Sequence, residues 1–168
     1  LINDPTAPED SAKVFAALET KTNLSGLLVS NINLRDGGAG CALASLVRTS
    51  SSLRTLSLVA TQRLTSACSE ALFVAIGTST SLTQLTLKHA ILGTQATEQL
   101  CNALLQNERL ISLSLHACVG DEDVEALCST LARKTNLRKL SLRRLDIDAS
   151  PSAVNYLASA LLAHTDLR

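Results

Sequence analysis

An α/β stack of parallel strand-and-helix coils is what this sequence predicts, and three observations carry the prediction. A motif Leu-x-x-Leu-x-Leu, with Val in its last place in the first copy, stands at Leu24-Leu27-Val29, Leu53-Leu56-Leu58, Leu82-Leu85-Leu87, Leu110-Leu113-Leu115 and Leu137-Leu140-Leu142, and a sixth copy begins at Leu167. The first leucines are 29, 29, 28, 27 and 30 residues apart, the near-constant period of a solenoid whose units pack on their neighbours. Between copies, apolar residues recur at spacings of three and four, the stripe of a helix buried on one side.

Within each motif the fourth and sixth positions fall on one side of an extended chain, and the third, fifth and seventh on the other. Each copy is therefore a short strand with one buried face. Counting back ten, seven and six places from the next motif gives the stripes Val14-Ala17-Leu18, Leu43-Leu46-Val47, Leu72-Ala75-Ile76, Leu100-Ala103-Leu104, Leu127-Thr130-Leu131 and Leu157-Ala160-Leu161. Helix starts agree, with Ser150 before Pro151 suited to an N-cap, and Asp121-Glu122-Asp123 suited to the positive end of a helix dipole. Strands joined through helices run parallel, and about 28 residues is enough for such a crossover. One unit cannot stand alone. Six buried aliphatic side chains do not offset the entropy of ordering about 28 residues, so stacking on neighbouring units supplies the rest. In order, residues 1–22 read as a partial repeat of loop and helix, 23–166 as five repeats, and 167–168 as the start of another, the whole being a segment of a longer protein.

The composition suits such a stack. Hydrophobic residues make up 46% and aromatics 2%, so the core is built from Leu, Ala, Val and Ile that can occupy equivalent slots in successive coils. Fifteen basic and fifteen acidic residues cancel, so no whole-chain charge draws it to nucleic acid or an anionic membrane. Five cysteines, odd in number and without CxxC spacing, fall mostly in apolar slots and point to a reducing compartment. No apolar run reaches membrane-span length and no signal peptide is seen. The expectation is a soluble cytoplasmic protein.

The motif Leu53-x-x-Leu56-x-Leu58, its helical stripe and the period near 28 resemble the ribonuclease-inhibitor type of leucine-rich repeat over almost the whole chain. That resemblance implies a curved right-handed horseshoe with parallel strands on the concave side and helices on the convex side. It also implies a protein-binding role, as in ribonuclease inhibitors, nucleotide-binding receptors, Ran GTPase activators and several cytoskeletal or ciliary proteins. At the ninth repeat position, where the family usually has Asn or Cys, this chain has Ile32, Thr61, Ala90, Cys118 and Leu145, so only Cys118 conforms.

On a concave sheet the second, third, fifth, seventh and eighth positions of each repeat face outward. Six of these are cationic, Arg54, Lys88, Arg138, Lys139, Arg143 and Arg144, and none is acidic. In the seventh position Lys88, His116 and Arg143 follow one another on adjacent strands, about 4.8 Å apart. Like charges in such a column repel, a cost that an anionic partner would offset. With His89 beside Lys88, the candidate binding residues are Arg54, Lys88, His89, His116, Arg138, Lys139, Arg143 and Arg144. The fifth position reads as a mostly hydroxyl row, Leu28, Ser57, Thr86, Ser114 and Ser141, facing solvent.

Catalytic and metal chemistry find no support. Three scattered candidates, His89, His116 and Cys118, do not make a metal cluster of known spacing. Asp121-x-Asp123-x-Glu125 opens like a calcium loop but has Ala126 and Ala132 where Gly and Glu are required, and Asp146-x-Asp148-x-Ser150 fails likewise at Pro151 and Leu157. GxSxG, P-loop and GxGxxG motifs are absent from the sequence. The sequence thus favours a non-enzymatic interaction or scaffold module, with no cofactor and no metal, that offers its concave face to an acidic segment of another protein. A structural component of a large cytoskeletal or ciliary assembly is the alternative. Regulation of a small GTPase ranks lower, with Arg35 and Arg63 as loop candidates. Nucleic-acid binding is disfavoured because no aromatic side chain stands among the exposed positions.

Overall fold

The computed structural model describes residues 2–3, 8–32, 34, 37–61, 66–90, 92–145 and 151–163 of the 168. Strands β1 (Ile2–Asn3), β2 (Gly26–Ser30), β3 (Thr55–Val59), β4 (Gln84–Lys88), β5 (Ser112–His116) and β6 (Lys139–Arg143) alternate with helices α1 (Pro8–Glu19), α2 (Gly37–Thr49), α3 (Ser66–Thr78), α4 (Thr94–Gln106), α5 (Val124–Arg133) and α6 (Pro151–Ala163). The strands form one sheet in chain order, every neighbouring pair parallel. The five expected strands lie on the five motifs. The two-residue β1 was not expected, because Ile2 and Asn3 carry no motif; they pair with Val29 and Ser30.

Register follows the period. Leu27, Leu56, Leu85, Leu113 and Leu140 stand side by side, as do Val29, Leu58, Leu87, Leu115 and Leu142. From β2 to β5 these side chains are buried in the layer between sheet and helices, together with Leu43, Leu46, Leu72, Ile76, Leu100, Leu104, Leu127 and Leu131. Adjacent strands lie about 4.8 Å apart, whereas packed helices need about 8–10 Å. The sheet therefore takes the inner, concave side.

Main-chain hydrogen bonds extend the repeat beyond the strands. The second-position carbonyls of Ser25, Arg54, Thr83 and Ile111 each accept two N–H groups from the following coil, at 2.8–3.1 Å. At the eighth position, Asn31, Ala60, His89, Ala117 and Arg144 are all left-handed, with φ between 48° and 56°. Four of these residues donate a last ladder bond, Asn31 to Val59, Ala60 to Lys88, His89 to His116 and Ala117 to Arg143. The left-handed step then turns the chain under the sheet, which buries Ile32, Thr61, Ala90 and Cys118 at the ninth position.

The terminal helices depart from the expected stripe. In α1 the buried apolar residue is Phe15, with Ser11 also buried, while Val14 is 41% exposed. In α6 Ala153 is buried and Leu161 is 54% exposed. Inner helices pack on both sides, whereas among the described residues α1 packs chiefly on α2 and α6 on α5, and their exposed positions differ from those of the inner helices. Asp121–Asp123 forms a 3-10 turn and α5 begins at Val124, so the acidic run precedes the helix. Asp123 is buried; burial raises its pKa and Thr97 and Thr94 pull it back. Ser150, Arg35, Arg63 and Leu167 lie outside the described residues.

Candidate functional site

The sheet brings together part of the basic set. Lys88, His116 and Arg143 end β4, β5 and β6 and pair directly in register, Lys88 with His116 and His116 with Arg143. The left-handed residues that follow put His89 beside the row, its ring 4.7 Å from that of His116 between centroids and tilted by 50°, and Arg144 beside Arg143. Lys88, His89, Arg143 and Arg144 are exposed and His116 is half-buried between its neighbours. The pKa of His116 is lowered, first by partial burial, then by His89, Arg144, Arg143 and Lys88.

Other expected members stand apart. Lys139 begins β6 and Arg138 precedes it, both exposed, four and five residues or about 13 and 17 Å before Arg143. Rather than widening the patch around His116, they make a second one. Arg54 donates from Nη1 to the carbonyl of Ser81 at 3.2 Å and so is engaged at the strand entry. The fifth-position row of Leu28, Ser57, Thr86, Ser114 and Ser141 is only half-exposed, because each side chain is flanked by its equivalents on adjacent strands. Among the described residues the ion pair lies on α1, Lys13 to Asp10 at 3.3 Å, and none of the eight candidates has a carboxylate within 4 Å.

A further polar feature escaped the sequence reading. Three residues before the first leucine of the second to fifth motifs stand Ser50, Ser79, Asn107 and Lys134. The hydroxyls of Ser50 and Ser79 accept the N–H of Leu53 and Leu82, and Asn107 Oδ1 accepts those of Arg109 and Leu110. Asn107 Nδ2 reaches back to the carbonyl of Ile76 at 2.6 Å, and Lys134 Nζ donates to the carbonyl of Asn107. Burial lowers the Lys134 pKa to about 8, against a smaller opposing effect of Glu108. The signal available was a polar residue at one fixed offset, seen only once the helix-to-strand turn is known to be buried.

Cys118 lies beneath the sheet, its thiol raised to about 11 chiefly by burial, and so does not join the two histidines above. Among the described residues no three His, Cys, Asp or Glu side chains converge as a ligand set, and no helix is long and apolar enough to cross a membrane.

No family model matches the sequence, and no similar curated protein was found. Solved structures do match. The structure described as leiomodin-1 actin-binding site 2 aligns with a TM-score of 0.69 at 16% identity, covering 94% of this chain and 91% of that one. The tropomodulin C-terminal domain from Caenorhabditis elegans aligns with a TM-score of 0.65 at 15% identity, covering 94% and 95%. The fold is of the leucine-rich-repeat type. At these identities the likeness concerns the path of the chain, and it includes the whole stack and not a single coil.

Proposed function

We propose that this chain is a non-enzymatic, cytoskeletal protein-interaction module that offers the basic row of its inner sheet face to an acidic segment of its partner. The observation that carries the reading is the in-register row Lys88–His116–Arg143, flanked by His89 and Arg144, with no carboxylate partner among the described residues. Repulsion in that row is relieved by an incoming anion, which makes the row better suited to binding than to stability. The partner class follows from the solved structures, one described as an actin-binding site, so actin is the first candidate. Five free cysteines, four of them buried, agree with a reducing cytoplasmic setting. One strand alternating with one full α-helix per coil favours the ribonuclease-inhibitor type of repeat. A ciliary assembly remains the second setting for the same surface.

Cosedimentation with filamentous actin and titration of monomeric actin test the proposal. Wild type is expected to bind at least one form, and Lys88→Glu with Arg143→Glu to weaken binding about tenfold or more, two favourable contacts becoming repulsive. The double variant is expected to melt no lower than wild type. Absence of binding to both forms, or binding indifferent to the double substitution, rejects the reading.

A further inference from the structure

We propose that His116, beside His89 at the centre of the basic row, is a proton-coupled anchor, so that an acidic peptide segment binds the row more tightly as pH falls from about 7.5 to about 6. The inference rests on the preceding functional reading and concerns the regulation of the same surface. Two imidazoles lie 4.7 Å apart at the centre of the row, at the junction of three strands. Lys88 and His89 face His116 from the β4 side, and Arg143 and Arg144 face it from the β6 side. Cys118, underneath, is buried and neutral at these pH values. Among the described residues the charged side chains around His116 are the cations Lys88, Arg143 and Arg144, and partial burial acts in the same direction, against protonation.

An acidic segment seated across the row reverses the sign of that field. Carboxylates within a few ångströms of the imidazole favour the imidazolium, and the same ligand neutralises the lysine and arginines that had opposed it. His116 is then mainly neutral in the free protein near pH 7.5 and gains a proton in the complex. By linkage, a ligand whose binding takes up a proton binds more tightly as pH falls, with an upper limit of tenfold per pH unit for one proton. Glutamate side chains have ordinary pKa values near 4.3, so an oligoglutamate ligand keeps its own charge over this range. A plain lysine-and-arginine patch would show salt dependence and no such pH dependence.

The test uses a fluorescein-labelled octaglutamate peptide and the complete 168-residue chain, with affinity measured by anisotropy at pH 7.5 and 6.0 at fixed salt. Binding is expected to tighten about three- to tenfold at the lower pH. His116→Gln, which retains a planar polar side chain, is expected to lose that dependence. In parallel, the imidazole proton resonances of wild type are followed by NMR with and without peptide, and the His116 pKa is expected to rise on binding. A flat pH profile, a slope retained in His116→Gln, or a His116 pKa unmoved by peptide overturns the inference. If Lys88→Glu with Arg143→Glu still abolishes binding in that case, the basic surface itself stands. Failure of the peptide to bind at either pH overturns the inference too, while the actin measurements decide the broader reading separately.

Discussion

Among the described residues five non-glycine positions are left-handed, an unusual number, and their regularity explains them. Each sits where a strand ends and the chain must turn beneath the sheet, and for Asn31, Ala60, His89 and Ala117 the bond from the N–H to the next strand fixes the turn. For an L-residue that conformation costs about 1–2 kcal/mol, least for Asn. Ala60 and Ala117 have no side-chain polar group to compensate. Ala60→Gly and Ala117→Gly are each expected to stabilise the protein by about 0.5–1 kcal/mol, read as a rise in urea midpoint at unchanged slope. Lys134 makes a separate prediction. Its folded pKa is about 8, below the ordinary value of 10.5, so between these pH values this group alone binds more protons in the unfolded chain and its contribution to stability rises with pH, while the raised thiol of Cys118 acts in the opposite direction. The Lys134 contribution is expected to be about 2 kcal/mol from pH 8 to 10.5, read by denaturant titration as the change over that range in the stability difference between wild type and Lys134→Met, in which the cysteine effect cancels. The site was partly legible at this scale: the row across three strands follows from counting residues. That Arg54 would be tied to Ser81 does not follow, because neither the strand entry nor its free carbonyls are visible in a repeat motif.

At the scale of elements, strands and helices were legible because one spacing rule is repeated five times and each coil is checked by the next. What the repeat does not encode is context at its margins. Phe15 replaces Val14 as the buried apolar residue of α1 because that helix packs chiefly against α2, a fact about stacking and not about periodicity. The turns from helix to strand were opaque for another reason. Ser, Asn and Lys look like solvent-facing loop residues until their offsets are aligned, yet they satisfy buried main-chain groups. Asn107 has the largest role, donating to Ile76 and Ser79 and accepting from Arg109 and Leu110 while almost wholly buried. Asn107→Ala leaves those groups unpaired and is expected to cost about 2–4 kcal/mol in chemical denaturation. Close helix packing adds a second constraint. A Cβ on Gly40 would lie 2.8 Å from that of Cys68, so Gly40→Ala must push α2 and α3 apart, at about 1–3 kcal/mol in the same measurement.

At the scale of the whole molecule, stability should be graded along the stack. Each coil is held by its own core and by two interfaces, so a coil with one well-covered side has less to lose when it opens. Burial shows the gradient. The inward leucines of β3, β4 and β5 are at most 1% exposed, whereas Leu140 and Leu142 of β6 are only half-buried, and in α6 Leu162 is 83% exposed, with Val154, Tyr156 and Leu161 also open to solvent. The basic row crosses this gradient, because Lys88 stands on a central strand and Arg143 on the least covered one. Native-state hydrogen exchange is therefore expected to give the highest opening free energies for amides of β3 to β5, with markedly lower ones in β6 and α6. A ligand that spans Lys88 to Arg143 should raise protection of β6 more than of β4, since it ties the weaker coil to the stronger. Uniform protection in the free protein, moving as a single unit with denaturant, would show that the coils open together and would remove the expectation that binding stiffens one end of the stack.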